Sequence, residues 1–390
     1  MKETVKFIII KAIRIMMRLF WIFPVRSNRI VFMAFNAKQY ACNPKYISEY
    51  LYKQYGSSFE MIWVFDQPEK FSYLQDKRIT LVKNKTFRFF YDMATAHVIV
   101  TNTGLPSYLV FKKKQVLINT WHGSGAYKRC GIDIDIDNVA RKKLQMAAKD
   151  TDYMISGCRK FSEVMSHSIM LPIEKMLEVG MPRNDVLMTP HPELVKKVKE
   201  YYHILDDTHI VLYAPTYRGS TLDAEKEDES LQIEDCLSAL SERFGGQWIA
   251  FYRVHYFLTS SIPATEQVID VSAYPDMQEL LCAADVLITD YSSSMWDMSL
   301  TGKPCFIYAT DIADYQQERD FYTPMKEWPF PVAQNNNELE FVIKNFDQQK
   351  YADDIKCHHD ALGSRETGHA SQTVGDFIYQ KCFVDNKQKN

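Results

Sequence analysis

The sequence lacks both glycine-rich fingerprints that commonly hold nucleotide phosphates. No G-x-x-x-x-G-K-[S/T] stretch occurs, which argues against a P-loop ATPase. The G-x-G-x-x-G fingerprint of NAD-binding folds is also absent, because the GSG at residues 123–125 continues as AYKRCG. Net charge is small as well: 46 basic and 49 acidic residues give −3, so the total charge does not indicate a nucleic-acid partner.

Closely spaced cysteines are missing too. The eight cysteines are scattered along the chain, which fits neither a disulfide framework nor a zinc site and favours a reducing cytoplasm. No carboxylate pair has clear metal-ligand spacing, so we expect no required cofactor, and a divalent metal is neither demanded nor excluded. Residues 357–360, CHHD, are interpreted as a polar surface stretch because adjacent side chains diverge.

Acidic residues are scarce at the amino-terminal end. Before residue 49 the chain has one acid and nine basic residues, and Lys11, Arg14 and Arg18 share one face of an otherwise apolar helical stretch. These charges argue against a spanning helix, and they would also interrupt the apolar core of a cleaved signal peptide. Residues 1–24 are therefore predicted to lie in a membrane interface, facing anionic lipid. Packing of this helix onto the rest of the protein is the alternative.

Short β-branched or aromatic runs alternate with helical stretches over nearly the whole chain. This alternation is typical of parallel sheets with crossover helices, and 390 residues suffice for two cores. We predict an α/β protein with two Rossmann-like doubly wound domains, at residues 25–188 and 205–385, facing a central cleft. Ligands of such sheets bind beyond the carboxyl ends of the strands, so the cleft is the expected site.

Five of the predicted strand ends carry unusual polar residues. They read WHGSG at 121–125, GMPRND at 180–185, APTYRG at 214–219, YRVH at 252–255 and TDYSSS at 289–294. Arginine holds phosphate oxygens bidentately and stays charged, which favours a phosphate-bearing ligand. Each residue alone could be a surface or core residue, but together they predict that one cleft receives Arg183, Arg218, Arg253, His122 and His255.

The DYSSS element connects a strand to a short helix predicted at residues 295–302. Backbone N–H groups and the hydroxyls of Ser292, Ser293 and Ser294 would form an anion site in its first turn. Simple capping of the helix by these serines is the alternative.

In this order the motifs resemble those of the CDP-glycerol glycerophosphotransferases of teichoic acid and capsule synthesis. The resemblance covers roughly residues 25–380 and includes ITDYSSSMWDMSLTGKPCFIY and DIADYQQERDFY. It implies a GT-B-like enzyme, peripheral to the cytoplasmic face of the membrane, that moves glycerol phosphate from CDP-glycerol to a hydroxyl of a lipid-linked acceptor and releases CMP. The sequence departs from the family where Ser124-Gly125 replaces Thr-Pro and where Tyr256 replaces Pro, which leaves the acceptor and the polyol open.

The resemblance also implies residue roles. His122 matches the catalytic histidine of the family, and a histidine with a pKa near 6.5 can accept the proton of an attacking hydroxyl. Donor-side charge would be met by His255, Arg253, Arg183, Arg218 and the serine turn. Asp290 would orient that turn, and Asp311 would contact the nucleotide. The acceptor side would include Trp121, Gly123 and Ser124.

Three alternatives remain at this point. CDP-ribitol offers the same diphosphate as CDP-glycerol and differs only in polyol length. A GT-B glycosyltransferase would share the fold and transfer a sugar from a UDP- or GDP-sugar. A membrane-docked binding protein would keep the cleft without chemistry. The expected partners are a CDP-polyol, a lipid-linked saccharide or polyol-phosphate acceptor, and an anionic membrane surface.

Overall fold

The computed structural model describes residues 2–216, 230–254, 265–318 and 320–385. The chain divides into two compact units. The first unit contains Met1–His122, Cys130–Asp185 and Arg365–Asn390, and the second contains Gly123–Arg129 and Val186–Ser364.

The first unit is built on a parallel sheet. Its described strands are β1 Arg26–Met33, β2 Glu60–Phe65, β3 Thr80–Lys83, β4 Ala96–Thr101, β5 Val116–Asn119, β6 Tyr153–Ser156 and β7 Met176–Glu178. They lie in the order β3-β2-β1-β4-β5-β6-β7. Alternate residues of β1 enter different cores, since Ile30 and Phe32 belong to one apolar cluster and Val31 and Met33 to the other. Both faces of the sheet are therefore covered, as parallel sheets require.

Helices cover these two faces. The helices of the first unit are α1 Lys2–Met17, α2 Cys42–Tyr55, α3 Phe87–Thr95, α4 Asn138–Asp150, α5 Arg159–Ser168 and, near the carboxyl terminus, α13 Ala370–Tyr379. Their starts follow local chemistry: the Asp137 carboxylate caps α4 by accepting hydrogen bonds from the N–H groups of Val139 and Ala140, each at 2.7 Å.

The second unit has a parallel sheet of its own. Its described strands are β8 Thr208–Tyr213, β9 Gln247–Tyr252, β10 Val268–Asp270, β11 Val286–Thr289, β12 Cys305–Tyr308 and β13 Val332–Ala333, in the order β10-β9-β8-β11-β12-β13. Its helices are α6 Pro192–Tyr201, α7 Ile233–Phe244, α8 Met277–Ala283, α9 Ser294–Ser299, α10 Ile312–Glu318, α11 Asn336–Lys344 and α12 Gln348–Leu362.

Both strand orders are those of doubly wound folds, so the predicted class of two Rossmann-like parallel sheets is confirmed. In each sheet the strand order reverses at one point, between β1 and β4 in the first unit and between β8 and β11 in the second. We call these two positions the switch points. Ligands of open parallel sheets bind in the crevice at such points.

The main part of the second unit begins at Val186, earlier than the predicted residue 205, and two further segments differ from the predicted domain boundaries. Residues Gly123–Arg129 belong to the second unit, and Arg365–Asn390 belong to the first. The carboxyl-terminal helix returns because Val374 and Ile378 complete the apolar cluster that contains Ile30. A boundary drawn from strand and helix alternation does not reveal which sheet a terminal helix covers.

The amino-terminal helix packs onto the first unit with one side. Met17 is buried in the core, and the Arg14 guanidinium pairs with Asp150 at 3.1 Å and donates to the Ser107 and Leu109 carbonyls. The prediction that Arg14 shares an outward basic face with Lys11 and Arg18 is therefore wrong, because a half-buried carboxylate and two carbonyls hold Arg14 against the first unit. No helix within the described residues combines the length and apolarity of a membrane span.

Candidate active site

At the first switch point, one side chain connects the ends of the two neighbouring strands. Asn102 follows β4, and its carboxamide oxygen accepts a hydrogen bond of 2.8 Å from the N–H of Phe35, which follows β1. The Asn102 carbonyl oxygen lies 2.9 Å from His122 Nδ1. Because a carbonyl can only accept, Nδ1 carries the proton and Nε2 keeps its lone pair. His122 is thus held in the tautomer that a general base requires.

Burial lowers the pKa of His122 below its ordinary value of 6.5. The hydrogen bond to the Asn102 carbonyl opposes this shift, while the positive charge of Arg183 adds to it. The imidazole is consequently neutral at pH 7 and available to accept a proton.

The backbone before His122 has a left-handed conformation. Trp121 has a φ of 51°, which a bulky residue rarely adopts, and its ring stacks on the His122 ring at 4.9 Å. The fully buried Asn43 stabilises this conformation by donating to the Thr120 and Trp121 carbonyls at 3.0 and 3.1 Å. Sequence analysis missed Asn43, because its partners lie almost 80 residues further along the chain.

Arg183, predicted to bind phosphate, is only 6% exposed. Its Nη1 donates a 2.7 Å hydrogen bond to the His122 carbonyl, and its backbone N–H donates to the Asn43 carboxamide at 3.0 Å. Arg183 therefore holds the backbone of the histidine in place. A direct contact of Arg183 with phosphate stays a prediction.

The rest of the GMPRND motif holds the carboxyl-terminal segment. The Asp185 carboxylate accepts hydrogen bonds from the N–H groups of Ala370 and Ser371, at the start of α13. Glu366 accepts from the Met181 N–H at 2.9 Å and from the Asn184 carboxamide at 3.1 Å. The motif thus anchors the final helix to the loop that carries Arg183.

The second switch point has a similar arrangement. Asp290 follows β11, and its carboxylate accepts 2.9 Å and 2.5 Å hydrogen bonds from the N–H and hydroxyl of Thr216, which follows β8. Asp290 thus fixes the end of β8, and its predicted orientation of the serine turn stays a prediction. Asp311 accepts a hydrogen bond from the Tyr291 hydroxyl at 2.9 Å, and its contact with a nucleotide stays a prediction.

The serine turn leads into α9, which begins at Ser294. The Ser294 N–H donates to the Ser292 hydroxyl at 3.3 Å, so local capping accounts for one of the three serines. The hydroxyls of Ser294 and Ser124 are buried and have no hydrogen-bond partner among the described residues. The hydrogen-bonding capacity of these two groups is therefore unused within the described residues, and anion binding by the turn stays a prediction.

Gly123 lies directly against this turn. A Cβ added at Gly123 would lie 2.9 Å from the Ser293 hydroxyl oxygen and 3.0 Å from the Ser293 Cβ. The polypeptide passes from the first unit to the second at the peptide bond between His122 and Gly123. The chain therefore needs a residue without a side chain immediately after the histidine.

Arg253 is fixed by backbone carbonyls, since its Nη1 donates to the Tyr274 oxygen at 2.8 Å and to the Val271 oxygen at 3.4 Å. Burial lowers the pKa of its guanidinium. Its predicted phosphate contact stays a prediction. Two further predicted site residues, Arg218 and His255, lie outside the described residues.

Two histidines of α12, the buried His358 and the half-buried His359, pack against other residues of the second unit. His358 Nε2 lies 2.9 Å from the Tyr127 hydroxyl, and the two rings stack. The His359 ring stacks on Trp296 at 4.4 Å, and His359 Nε2 lies 2.7 Å from the Ser299 hydroxyl. The prediction that CHHD is a polar surface stretch is therefore only half right. Cys357 and Asp360 are exposed, whereas both histidines face inward on α12.

Metal ligands are not clustered in the part of the chain that the structure describes. Its residues include no group of three or more histidine, cysteine, aspartate or glutamate side chains that could hold a metal ion.

Comparisons with known proteins identify relatives over nearly the whole chain. The family model described as CDP-glycerol:poly(glycerophosphate) glycerophosphotransferase matches residues 15–380. The teichoic acid poly(glycerol phosphate) polymerase of Staphylococcus epidermidis is 31% identical over 372 residues, covering 91% of this chain and 51% of that protein. This chain thus spans about half the length of that polymerase.

In two further comparisons the alignment covers almost the whole of both proteins. The teichoic acid glycerol-phosphate transferase of Staphylococcus aureus is 28% identical over 395 residues, covering 97% of this chain and 100% of that protein. A solved structure of the wall teichoic acid polymerase TagF has a TM-score of 0.82 and 30% identity, covering 98% of this chain and 97% of that one.

The close approach of Gly123 to Ser293 predicts a repairable loss of stability. Gly123→Ala should lower the free energy of unfolding by about 1–3 kcal/mol, because the added methyl group displaces Ser293. Adding Ser293→Gly should restore most of the thermal midpoint, which calorimetry of both single variants and the double variant measures. If the double variant loses as much stability as the two single variants together, the contact between Gly123 and Ser293 is contradicted.

The buried histidines predict acid sensitivity. Burial lowers the pKa of His358 and of His359 to about 4, from 6.5 for a free side chain. The unfolded chain therefore binds more protons between these values, and stability should fall as the pH drops from about 6.5 to about 4, by at most about 3 kcal/mol for each histidine. Urea unfolding at a series of pH values should show a shallower decline for His359→Gln, whereas the exposed-site control His203→Gln should follow the wild type.

Proposed function

Because this chain belongs to the CDP-glycerol:poly(glycerophosphate) glycerophosphotransferase family, we propose that it transfers glycerol phosphate from CDP-glycerol to a hydroxyl of a lipid-linked acceptor in teichoic acid or capsular polymer synthesis. CMP is the second product. The observation that carries this proposal is the state of His122, whose Nδ1 is bonded to the Asn102 carbonyl while Nε2 keeps a lone pair.

In the proposed reaction His122 Nε2 accepts the proton of the acceptor hydroxyl. The hydroxyl oxygen forms a bond to the β-phosphorus of CDP-glycerol, and the bond from that phosphorus to the bridging oxygen breaks. CMP departs with the bridging oxygen and its electron pair. Attack in line with the departing group is the usual geometry of phosphoryl transfer.

The negative charge on the phosphates of CDP-glycerol must be met by fixed hydrogen-bond donors and cations of the protein. We assign this task to the second unit, where the Ser294 hydroxyl is buried without a protein partner among the described residues. The Arg253, Arg218 and His255 side chains are proposed to add positive charge. No cofactor is included in the proposal, and the same assay with and without EDTA tests that choice.

We further propose that the protein docks on the cytoplasmic face of the membrane through α1 and the residues just after it. Large apolar side chains are exposed there: Ile8, Ile9, Ile15, Met16, Leu19, Trp21 and Ile22. Lys11 and Arg18 are exposed beside them, which favours anionic lipid. The inward ion pair of Arg14 with Asp150 keeps this surface rigid on the first unit.

The catalytic proposal predicts a specific loss in a nucleotide-release assay. His122→Ala should lower CMP release from CDP-glycerol by about a hundredfold or more, because general-base catalysis typically contributes that much, and should leave the KM for donor nearly unchanged. In the wild type the rate should fall as the pH drops through a value below 6.5, because burial lowers the pKa of His122.

The control for this assay is His203→Ala at an exposed position, which should keep full activity. Parallel reactions contain CDP-ribitol, UDP-sugars and GDP-sugars. Release of CMP from CDP-ribitol alone would replace glycerol by ribitol as the polyol. Release of UDP or GDP without CMP release would overturn the phosphotransferase assignment in favour of sugar transfer, and donor binding without any turnover would indicate a binding protein.

The docking surface predicts weaker binding to liposomes after three apolar replacements. Ile8→Ser, Ile15→Ser and Leu19→Ser together should reduce sedimentation with phosphatidylglycerol vesicles at least about tenfold, since each change removes apolar area from the interface. A matched triple variant at exposed apolar residues elsewhere, Ile173→Ser, Leu205→Ser and Phe341→Ser, should bind as the wild type does. Equal losses in both triple variants would refute a dedicated surface on α1.

A further inference from the structure

Two residues directly after β4, Asn102 and Thr103, carry polar groups that have no role in the reaction proposed above. Asn102 is fully buried, and both of its oxygens are occupied: the side-chain oxygen by the Phe35 N–H and the carbonyl oxygen by His122 Nδ1. The two hydrogens on Asn102 Nδ2 have no acceptor among the described residues. The neighbouring Thr103 hydroxyl is also buried and has no partner there.

Two unsatisfied donors in succession are unusual. A buried polar group without a hydrogen bond is costly, so nearly all such groups in folded proteins have partners. Asn102 and Thr103 lie at the first switch point, next to the histidine whose Nε2 has a free lone pair. Their position at the expected crevice of a doubly wound sheet indicates that a ligand completes these hydrogen bonds.

The backbone next to these two residues borders open space. A Cβ added at Gly104, the next residue, would meet no atom within 4 Å. On the β1 side, Phe35, Asn36 and Ala37 have positive φ values of 45°, 55° and 70°. Successive left-handed residues are strained, and such strain is concentrated at binding sites.

The second unit provides an internal comparison. At its switch point Asp290 occupies the place of Asn102 and accepts the N–H of Thr216, as Asn102 accepts that of Phe35. An ionised carboxylate only accepts hydrogen bonds, whereas a carboxamide also donates two. The first switch point therefore offers neutral donors to oxygen atoms of a ligand.

We propose that Asn102 Nδ2 and Thr103 Oγ1 bind oxygen atoms of the terminal polyol phosphate of the acceptor and thereby hold its reacting hydroxyl at His122 Nε2. This assignment rests on the proposed function. The two side chains take part in no bond breaking. His122 takes the hydroxyl proton, and the bound oxygens of the polyol phosphate orient the hydroxyl for attack.

The most conservative test is Thr103→Val, which keeps the shape of the side chain and removes only the hydroxyl. Asn102→Asp is the second variant: it keeps an oxygen for the Phe35 N–H, removes both donors and adds negative charge against an anionic acceptor. The matched control is Thr80→Val, at an exposed position of β3 in the same unit.

In the nucleotide-release assay each of the two variants should raise the KM for acceptor at least about tenfold, the effect of one lost hydrogen bond to a charged group. The KM for CDP-glycerol should stay within about twofold, because the donor phosphates are assigned to the second unit. A merely structural role would instead lower the thermal midpoint and change both KM values. An unchanged KM for acceptor in Thr103→Val would overturn the assignment.

A binding measurement separates this inference from the proposed function. The side-chain NMR signals of His122 are recorded in isotope-labelled protein without donor, during titration with sn-glycerol 3-phosphate, glycerol or inorganic phosphate. We expect sn-glycerol 3-phosphate to shift the wild-type and Thr80→Val signals, and a much higher concentration to be needed in Thr103→Val. A response to glycerol alone would assign the hydrogen bonds to polyol hydroxyls, and a response to phosphate alone would assign them to phosphate oxygens.

The outcomes of the two measurements are distinct. A wild-type protein that releases no CMP but binds sn-glycerol 3-phosphate through Thr103 would retain the polyol-phosphate site and overturn the proposed reaction. Normal CMP release with equal sn-glycerol 3-phosphate binding in all variants would overturn the site and retain the reaction. If Asn102→Asp fails to fold, Thr103→Val alone decides.

Discussion

The hydrogen bond from His122 Nδ1 to the Asn102 carbonyl is the interaction on which the site in the first unit depends. It selects one tautomer of the imidazole and directs Nε2 away from the sheet. Holding the ring there requires the left-handed backbone of Trp121, which Asn43 stabilises through two carbonyls. Arg183 then fixes the His122 carbonyl, and its own loop is anchored to α13 through Asp185. A histidine in the first third of the sequence is thus positioned by residues from both ends of the first unit.

The two units use different side chains, a carboxamide and a carboxylate, to connect the strand ends at their switch points. In each unit, the segments that follow the two neighbouring strands of the switch point are connected by a hydrogen bond to one side-chain oxygen. This oxygen belongs to Asn102 in the first unit and to Asp290 in the second. The carboxylate also accepts the Thr216 hydroxyl, so it adds local negative charge and no donor. The carboxamide adds no charge and retains donors. A neutral donor beside His122 leaves the imidazole uncharged, whereas a carboxylate in the same place would favour its protonated form.

The sequence was sufficient to predict the class of fold and the position of its polar motifs after the strands. Short β-branched or aromatic runs and helical spacing are local properties, and they identified both parallel sheets and the placement of His122 after β5. The partners of the arginines are not local. Arg14 pairs with a residue 136 positions away, and Arg183 donates to a carbonyl 61 positions away. Spacing could not reveal that both side chains are directed inward, nor that a helix after residue 365 returns to the first unit.

The buried arginines contact backbone carbonyls in the structure, and their predicted direct contact with phosphate stays a prediction. A guanidinium that donates to backbone carbonyls keeps its full positive charge while losing freedom to move. Burial is the main cause that lowers the pKa of His122, and the charge of Arg183, which acts over several ångströms in a medium of low polarity, adds to this effect by disfavouring the imidazolium. The same field favours any anion that approaches the histidine. Arg183 therefore helps to keep the imidazole of His122 neutral while its own hydrogen bonds are made to the protein.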